Sequence, residues 1–282
     1  PLNTHPIVQR AAQFGVPVIG DIELFAQARG ELPPHKVVGI TGTNGKSTTT
    51  ALVHHILKSA GVSAMMGGNI GLPILAQDPL PEGGVYVLEL SSYQIDLTYS
   101  LDCDVAVLSN ITPDHLDRYD GFAAYAAAKA RLFAMQQASR LAVFGCADEP
   151  TCAIHGREAA RRAAGRAACA DRASLAALQP RWPGLAGPHN LENAALAVAS
   201  VEELGVPASK WQPALASFAG LPHRMERVAE HQGVLFINDS KATNPDSAAP
   251  ALAAWPPDPA INAGAPRIHW IVGGLPKEDG LG

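Results

Sequence analysis

Val37-Val38-Gly39-Ile40-Thr41-Gly42-Thr43-Asn44-Gly45-Lys46-Ser47-Thr48-Thr49-Thr50 decides how the rest of the chain is read. A β-branched run enters a glycine-rich turn, the turn ends in Lys-Ser, and an apolar helical pattern follows at Ala51, Leu52, Val53, Ile56 and Leu57. The order is strand, phosphate-binding loop, helix. Glycines let backbone N–H groups curl round a phosphate without Cβ clashes, and the helix N-terminus adds partial positive charge. Lys46 would reach the β- and γ-phosphates of a nucleotide, and Ser47 would ligate Mg²⁺. The strict pattern G-x-x-x-x-G-K-[ST] needs glycine at position 40. Here Ile40 stands there, with Gly39 one place early, so the match is to the shorter core Gly42-Thr43-Asn44-Gly45-Lys46-Ser47.

The 282 residues allow roughly two domains. With 47% hydrophobic and 17% charged residues a sizeable core can be buried. The net charge of −5 and the lack of a basic block argue against a surface that tracks nucleic-acid phosphates. No apolar run is long enough for a transmembrane helix, and no signal-peptide pattern is present. A chain that starts at Pro1 is uninformative on export. Cys103, Cys146, Cys152 and Cys169 form no C-x-x-C pair, and free thiols in a reducing cytoplasm are expected.

Outward from the loop, residues 1–30 read as a helix (His5–Phe14), a short strand (Val16–Ile19) and a second helix (Asp21–Ala28). They are too few to bury a core of their own. The loop helix should stop near Gly61, and a strand over Val62–Met66 leads into Gly67-Gly68-Asn69-Ile70-Gly71-Leu72-Pro73, either a plain turn or a close backbone approach to a ligand. Val85–Leu88 and Val105–Leu108 are continuous apolar runs, as in buried parallel strands. The first ends in Glu89-Leu90-Ser91-Ser92-Tyr93-Gln94, where a carboxylate would sit at the ligand crevice of an open sheet as a natural Mg²⁺ ligand. The second leads to Asn110 and on to Asp114-His115-Leu116-Asp117-Arg118-Tyr119. A neutral imidazole there could bind a metal, although a single histidine is as readily structural.

A helix over Gly121–Gln136 puts Lys129 on the face of Tyr125, Leu132 and Phe133. A lysine there is costly unless it is paired, modified or snorkelling. Leu141–Phe144 is a further strand, and residues 148–180 show no readable chemistry. Gly187-Pro188-His189-Asn190-Leu191-Glu192-Asn193 opens a helix through Leu204; its amides could meet a base edge or simply cap. Gly220–Arg227 reads as a linker. Strands at Val234–Ile237 and Ile268–Val272 flank a helix over Ser247–Trp255, and the first strand ends in Asn238-Asp239-Ser240-Lys241-Ala242-Thr243-Asn244.

These motifs, in this order, resemble the Mur ligases, ATP-dependent amide ligases of bacterial peptidoglycan synthesis. Glu89–Gln94 and Asn238–Asn244 are most similar to the branch that adds D-glutamate to UDP-N-acetylmuramoyl-L-alanine. A ligase adding another amino acid, such as L-glutamate, is the alternative. The resemblance implies an α/β fold with a central P-loop ATPase-type, mostly parallel sheet and helices on both faces, plus the start of a Rossmann-like C-terminal domain. It implies residues 1–30 as the tail of a UDP-binding domain, 31–220 as the ATP-binding domain, and 221–282 as an incomplete amino-acid-binding domain. A cytoplasmic monomer, inactive as this piece alone, is expected.

The resemblance also implies roles. Lys46, His115 and Lys129 would be catalytic. Gly42, Thr43, Asn44, Gly45, Lys46, Ser47, Thr48, Asn190, Asn193, Arg224 and Asp239 would bind ATP. Ser47 and Glu89 would hold one Mg²⁺, and His115 and Lys129 a second, with Lys129 N6-carboxylated. Asn69, Ser91, Gln94 and His115 would face the muramoyl substrate, and Lys241, Thr243 and Lys277 the amino acid.

Overall fold

The β-branched run that opens the phosphate loop becomes strand β1 in the computed structural model, which describes residues 5–116, 118–254 and 268–273. In chain order the elements are α1 (Pro6–Gln13), α2 (Asp21–Ala28), β1 (His35–Thr41), α3 (Lys46–Ser59), β2 (Ala64–Gly68), β3 (Gly84–Glu89), α4 (Ser92–Asp96), β4 (Val105–Leu108), α5 (Gly121–Ala134) and β5 (Leu141–Phe144). There follow α6 (Glu149–Arg161), β6 (Ala167–Cys169), α7 (Arg172–Ala176), α8 (Pro188–Glu203), α9 (Ala208–Ser217), β7 (Glu226–His231), β8 (Val234–Asn238) and α10 (Pro245–Ala253).

The first six strands form one parallel sheet in the order β2-β3-β1-β4-β5-β6. The chain runs from β1 outward to β2, returns to β3 beside β1, and then crosses to β4 on the other side. Strand order therefore reverses at β1, and the crevice at the carboxyl ends of β3, β1 and β4 is where an open α/β sheet takes its ligand. Both faces are covered, which is why the strands read as continuous apolar runs. Val38 and Ile40 pack on one face with Leu52, Val53 and Ile56 of α3 and with Leu196 and Val201 of α8. Val37 and Leu88 pack on the other with Ile22, Phe25, Tyr125 and Phe133.

Several expectations shift. Ile40 is fully buried in the core and its carbonyl accepts from Leu90 N–H, so the position the strict motif gives to glycine is a sheet position here. Helix α3 ends in a Schellman arrangement, with Gly61 at φ +87°, Gly61 N–H donating to Lys58 O and Val62 N–H to Leu57 O. Val62 is thereby taken from the strand expected over Val62–Met66, and β2 runs two residues later. Val16–Ile19 is not a strand: Pro17 removes a donor, and the segment is tied by single bonds, Gly20 N–H to Leu97 O and Tyr99 Oη to Val18 O. Ile268–Val272 is not a strand either, since residues 268–273 join no ladder among the described residues. The stretch Glu226–Arg227, expected to be linker, instead begins β7, which pairs antiparallel with β8 in a separate two-stranded sheet.

The cysteines also depart from expectation. Cys146 and Cys169 are joined in a disulfide, while Cys103 (buried) and Cys152 (exposed) are free. No helix among the described residues is long and apolar enough to cross a membrane.

Helix α2 is locked to the connection between α4 and β4 by one buried carboxylate. Glu23 accepts from Tyr99 N–H (2.6 Å), Ser100 N–H (2.9 Å), Ser100 Oγ (2.8 Å) and Gln27 Nε2 (3.0 Å). Burial pushes its pKa up, but these hydrogen bonds together outweigh burial and hold it below the ordinary value. Its stabilising contribution is therefore present above the ordinary carboxylate range and is lost as pH falls through the lowered value. Glu23→Ala strands buried donors and is expected to cost about 2–4 kcal/mol, read as a lower urea midpoint at neutral pH and a smaller difference from the parent chain in acid.

Candidate active site

The loop between β1 and α3 turns on two glycines in left-handed backbone. Gly42 has φ +148° and Gly45 has φ +84°. A Cβ on Gly42 would run into Ser109 Oγ, and one on Gly45 into Asn193 Oδ1, so neither position tolerates a side chain without rearrangement. Helix α3 begins at Lys46 with Gly45 as its cap, and the first N–H groups of a helix have no intrahelical acceptor. An anion can take them.

Two segments that follow neighbouring strands hold the loop. After β4, Asn110 grips it with both backbone and side chain: Thr43 N–H donates to Asn110 O, Asn44 N–H donates to Asn110 Oδ1, and Asn110 Nδ2 donates to Asn44 O. Ser109 Oγ donates to the same Asn44 carbonyl, and Thr112 N–H donates to Thr43 Oγ1. After β3, Glu89 sits one strand from the loop, in register with Ile40. Its Oε1 accepts from Asn69 Nδ2 at 2.9 Å, while Oε2 is buried and has no hydrogen-bond partner among the described residues. Asn69 can come this close because Gly68, at φ +89°, lies against the Glu89 backbone, where a Cβ would clash. The close approach made by the glycine-rich turn is to the backbone of β3 itself.

An orphaned buried carboxylate oxygen is costly unless a cation meets it. Glu89 and the Ser47 hydroxyl supply hard oxygen donors, the chemistry Mg²⁺ takes. Ser47 Oγ here accepts from Arg224 Nη2 at 2.9 Å.

Lys46 Nζ donates to Gly42 O (2.9 Å) and Thr43 O (2.8 Å). Lys129, only 2% exposed, reaches the same Gly42 carbonyl from α5 at 2.7 Å, and its Nζ lies 4.6 Å from the Tyr125 ring centre. Burial, and next the nearby Lys46 charge, hold the Lys129 pKa well below the ordinary lysine value. The side chain does not snorkel. His115 makes an edge contact with the same ring, with ring centres 6.4 Å apart. It adopts φ +55°, rare for a residue with a Cβ, and its N–H is held by Asp114 Oδ1 at 3.0 Å. Tyr125, whose hydroxyl lies 3.1 Å from Thr43 Oγ1, therefore links His115, Lys129 and the loop.

Asn190 and Asn193 are buried in the first turns of α8. Asn193 Nδ2 donates to Asn190 Oδ1, Asn193 Oδ1 accepts from Thr49 Oγ1, and Asn190 Nδ2 donates to Ala186 O. Asn193 thereby braces the loop helix, and Asn190 lines a cavity shared with Gly45, His189, Arg224 and Asp239. Burial raises the Asp239 pKa and lowers that of His189. Ser91 and Gln94 form a reciprocal capping box on α4. Lys241 and Thr243 are exposed in the loop after β8, where Lys241 N–H donates to His223 O. Lys277 and Asp117 lie outside the described residues.

Residue-by-residue reading missed Ser109, Asn110, Thr112 and Tyr125 as loop supports. A polar cluster after an apolar strand signals a crevice, but only strand order shows that β4 is beside β1. Glu192 was also missed. Its Oε1 is buried without a partner among the described residues, over Gly145, and Oε2 lies 3.7 Å from Arg172 Nη1. Burial pushes this carboxyl up to about 7, with Arg172 opposing. The folded chain holds the proton to higher pH than the unfolded chain, so the contribution is full below the ordinary value of 4.5 and is lost as pH rises through about 7. Glu192→Gln is expected to flatten the fall in unfolding midpoint between about pH 5 and about pH 8, measured by urea titration at each pH.

Residues 40–176 match the Mur ligase middle domain. Over 281 residues the chain is 66% identical to the UDP-N-acetylmuramoylalanine–D-glutamate ligase of Novosphingobium aromaticivorans, covering 100% of this chain and 61% of that protein. The chain thus spans less than two thirds of that relative's length. Among solved structures, MurF from Acinetobacter baumannii superposes with a TM-score of 0.65 at 22% identity, covering 81% of this chain and 56% of that one. MurF from Thermotoga maritima, in complex with ADP, gives 0.60 at 20% identity, covering 83% and 60%. At these identities the likeness is one of fold. The matched segment coincides with the sheet and loop just described, and the chain carries a Mur ligase middle domain.

Proposed function

We propose that the chain carries the nucleotide-binding part of an ATP-dependent amide ligase that joins D-glutamate to UDP-N-acetylmuramoyl-L-alanine in peptidoglycan synthesis. The observation that carries this reading is the 66% identity to a D-glutamate ligase along the whole chain. On this reading residues 1–30 end a UDP-binding domain, 31–220 form the ATP-binding domain, 221–282 belong to an amino-acid-binding domain, and the chain works as a monomer in the cytoplasm.

The roles proposed here are those the resemblance implies, and the geometry of the loop supports them. The loop from Gly42 to Thr48 takes the phosphates, with Asn190 and Asn193 toward adenine and Arg224 and Asp239 reaching in from the C-terminal side. Glu89 and Ser47 hold one Mg²⁺. His115 and Lys129 hold a second, with Lys129 as its carbamate. A buried amine without its extra proton is nucleophilic toward CO₂. C–N bond formation with loss of a proton turns Nζ into the root of an anionic oxygen ligand. Asn69, Ser91, Gln94 and His115 face the muramoyl acceptor, and Lys241, Thr243 and Lys277 face the amino acid.

The acceptor carboxylate attacks the γ-phosphorus of ATP, giving an acyl phosphate and ADP. Two anions meet in that step, and Lys46 and Arg224 act as fixed cations that lower the repulsion. Mg²⁺ supplies further charge neutralisation at the phosphate oxygens when bound. The glutamate amine, once deprotonated, then displaces phosphate from the carbonyl carbon. A His115 engaged on a metal cannot also take that proton, so the base stays unassigned.

Calorimetric titration of the chain with Mg·ATP tests the nucleotide reading. Lys46→Ala is expected to weaken binding by about tenfold or more, roughly 1.4 kcal/mol. Glu89→Gln is expected to remove most of the magnesium dependence. Equal affinity for the parent chain and Lys46→Ala would overturn the assignment. The folded chain in ¹³C-labelled bicarbonate should show a carbamate carbon signal that Lys129→Ala lacks, and no such signal at any bicarbonate concentration would remove the carbamate. Phosphate release supported by D-glutamate and not L-glutamate checks the amino acid.

A further inference from the structure

We propose that Cys146 and Cys169 form a reversible thiol–disulfide modification site, served by His155 and coupled to the nucleotide loop. The two residues end adjacent parallel strands on the crevice side of the sheet. Cys146 lies two residues past β5 and Cys169 is the last residue of β6. Their Cα atoms are 5.9 Å apart and the sulfurs are bonded. A nitrogen of His155, on α6, lies within 4.8 Å of both sulfurs. That ring is positioned by edge contact with Phe144, 5.3 Å between centres. Cys169 is exposed and Cys146 half-buried. A small disulfide in solution can reach the first sulfur, and only the protein's own partner is placed to reach it from beneath.

The chemistry closes with one co-reactant, a low-molecular-weight disulfide such as oxidised glutathione. The Cys169 thiolate attacks it, forming a mixed disulfide and releasing one small thiolate. The Cys146 thiolate, whose proton passes to His155, then attacks the Cys169 sulfur and expels the second small thiolate. Two protein thiols are oxidised and one small disulfide is reduced to two thiols. A reducing pool of the same thiol runs the steps backward.

The bond reaches the loop through short contacts. Gly145, next to Cys146, leaves no room for a Cβ against Ser109 O and Glu192 Oε1, and its N–H donates to Leu108 O. Asp148, two residues on, accepts from Ile111 N–H at 3.2 Å. Ser109 and Asn110 hold Asn44 of the phosphate loop. Beyond Cys169, Arg172 faces Glu192 beside Asn190 and Asn193. Cys146 itself sits at φ +43°, a turn that a residue with a Cβ adopts only when its surroundings impose it. The closed bond therefore fixes the turn that buttresses residues 109–111, and opening it frees that turn. Nucleotide affinity should be higher in the bonded state.

The test uses the chain equilibrated in glutathione buffers of graded ratio, with peptide mapping under non-reducing conditions and Mg·ADP affinity measured on the same samples. We expect a Cys146–Cys169 linked peptide with a sharp midpoint, and Mg·ADP binding at least about fivefold tighter in the bonded form. Cys152→Ser should change neither result. In the double variant Cys146→Ser, Cys169→Ser the affinity should match the reduced parent chain and ignore the oxidant. His155→Ala should slow bond formation near neutral pH and recover in alkali, where thiols ionise unaided. Mixed disulfides left separately on the two cysteines, or a bond to Cys152, would overturn the site. So would stoichiometric zinc held by the reduced chain that blocks oxidation. An affinity that ignores the bond would overturn the coupling. The nucleotide half rests on the proposed function, and failure to bind Mg·ADP in either state would count against that reading while the linked peptide still reports on the thiols.

Discussion

One backbone carbonyl receives two lysines: Gly42 O accepts from Lys46 at 2.9 Å and from Lys129 at 2.7 Å. Two full ammonium charges on one oxygen repel, and one of the pair is buried beyond the reach of water. The buried Lys129 accordingly has its charge penalised first by desolvation and then by Lys46. The arrangement exists only because Gly42 bends the chain so that its carbonyl faces α5 and the nascent α3 together, at a φ of +148° that leaves no room for a side chain beside Ser109. The loop, the lysine that closes it and the lysine beneath it are one mechanical unit.

The rest of the sheet serves that unit from both sides. Strand β3 brings Glu89 to one flank, with one oxygen held by Asn69 and the other buried without a hydrogen-bond partner among the described residues. Strand β4 brings Ser109, Asn110 and Thr112 to the other, where they satisfy the loop's inner amides and carbonyls. The outward amides at the start of α3 are left for an anion. A loop so pre-organised would meet an anion without first ordering itself, which lowers the entropic cost of binding.

The C-terminal segment closes over this from above. Arg224 donates to Ser47, and Asn244 Nδ2 reaches Asn44 Oδ1 at 3.4 Å. These are polar contacts between side chains, without the apolar burial that joins α3 to α8, so the cover is held more loosely than the floor. The Val228, Val234 and Phe236 side chains of the β7–β8 hairpin remain exposed.

The local pieces are legible along the chain, because each rests on short-range physics. A β-branched run, two glycines with positive φ and an apolar helical repeat need no distant partner to be recognised, and Gly61 stops α3 where its own carbonyls require a left-handed residue. The apolar environment of Lys129 was also legible, since helical spacing alone puts it beside Tyr125 and Phe133. The remaining features depend on strand order. Asn110 could be a loop support only once β4 lay beside β1, and Ile40 could replace a motif glycine only because that position is inside the sheet. Cys146 and Cys169, separated by 23 residues and by helix α6, meet because β5 and β6 pair in parallel and end together. Spacing along the chain carries no trace of that meeting; the crossover does.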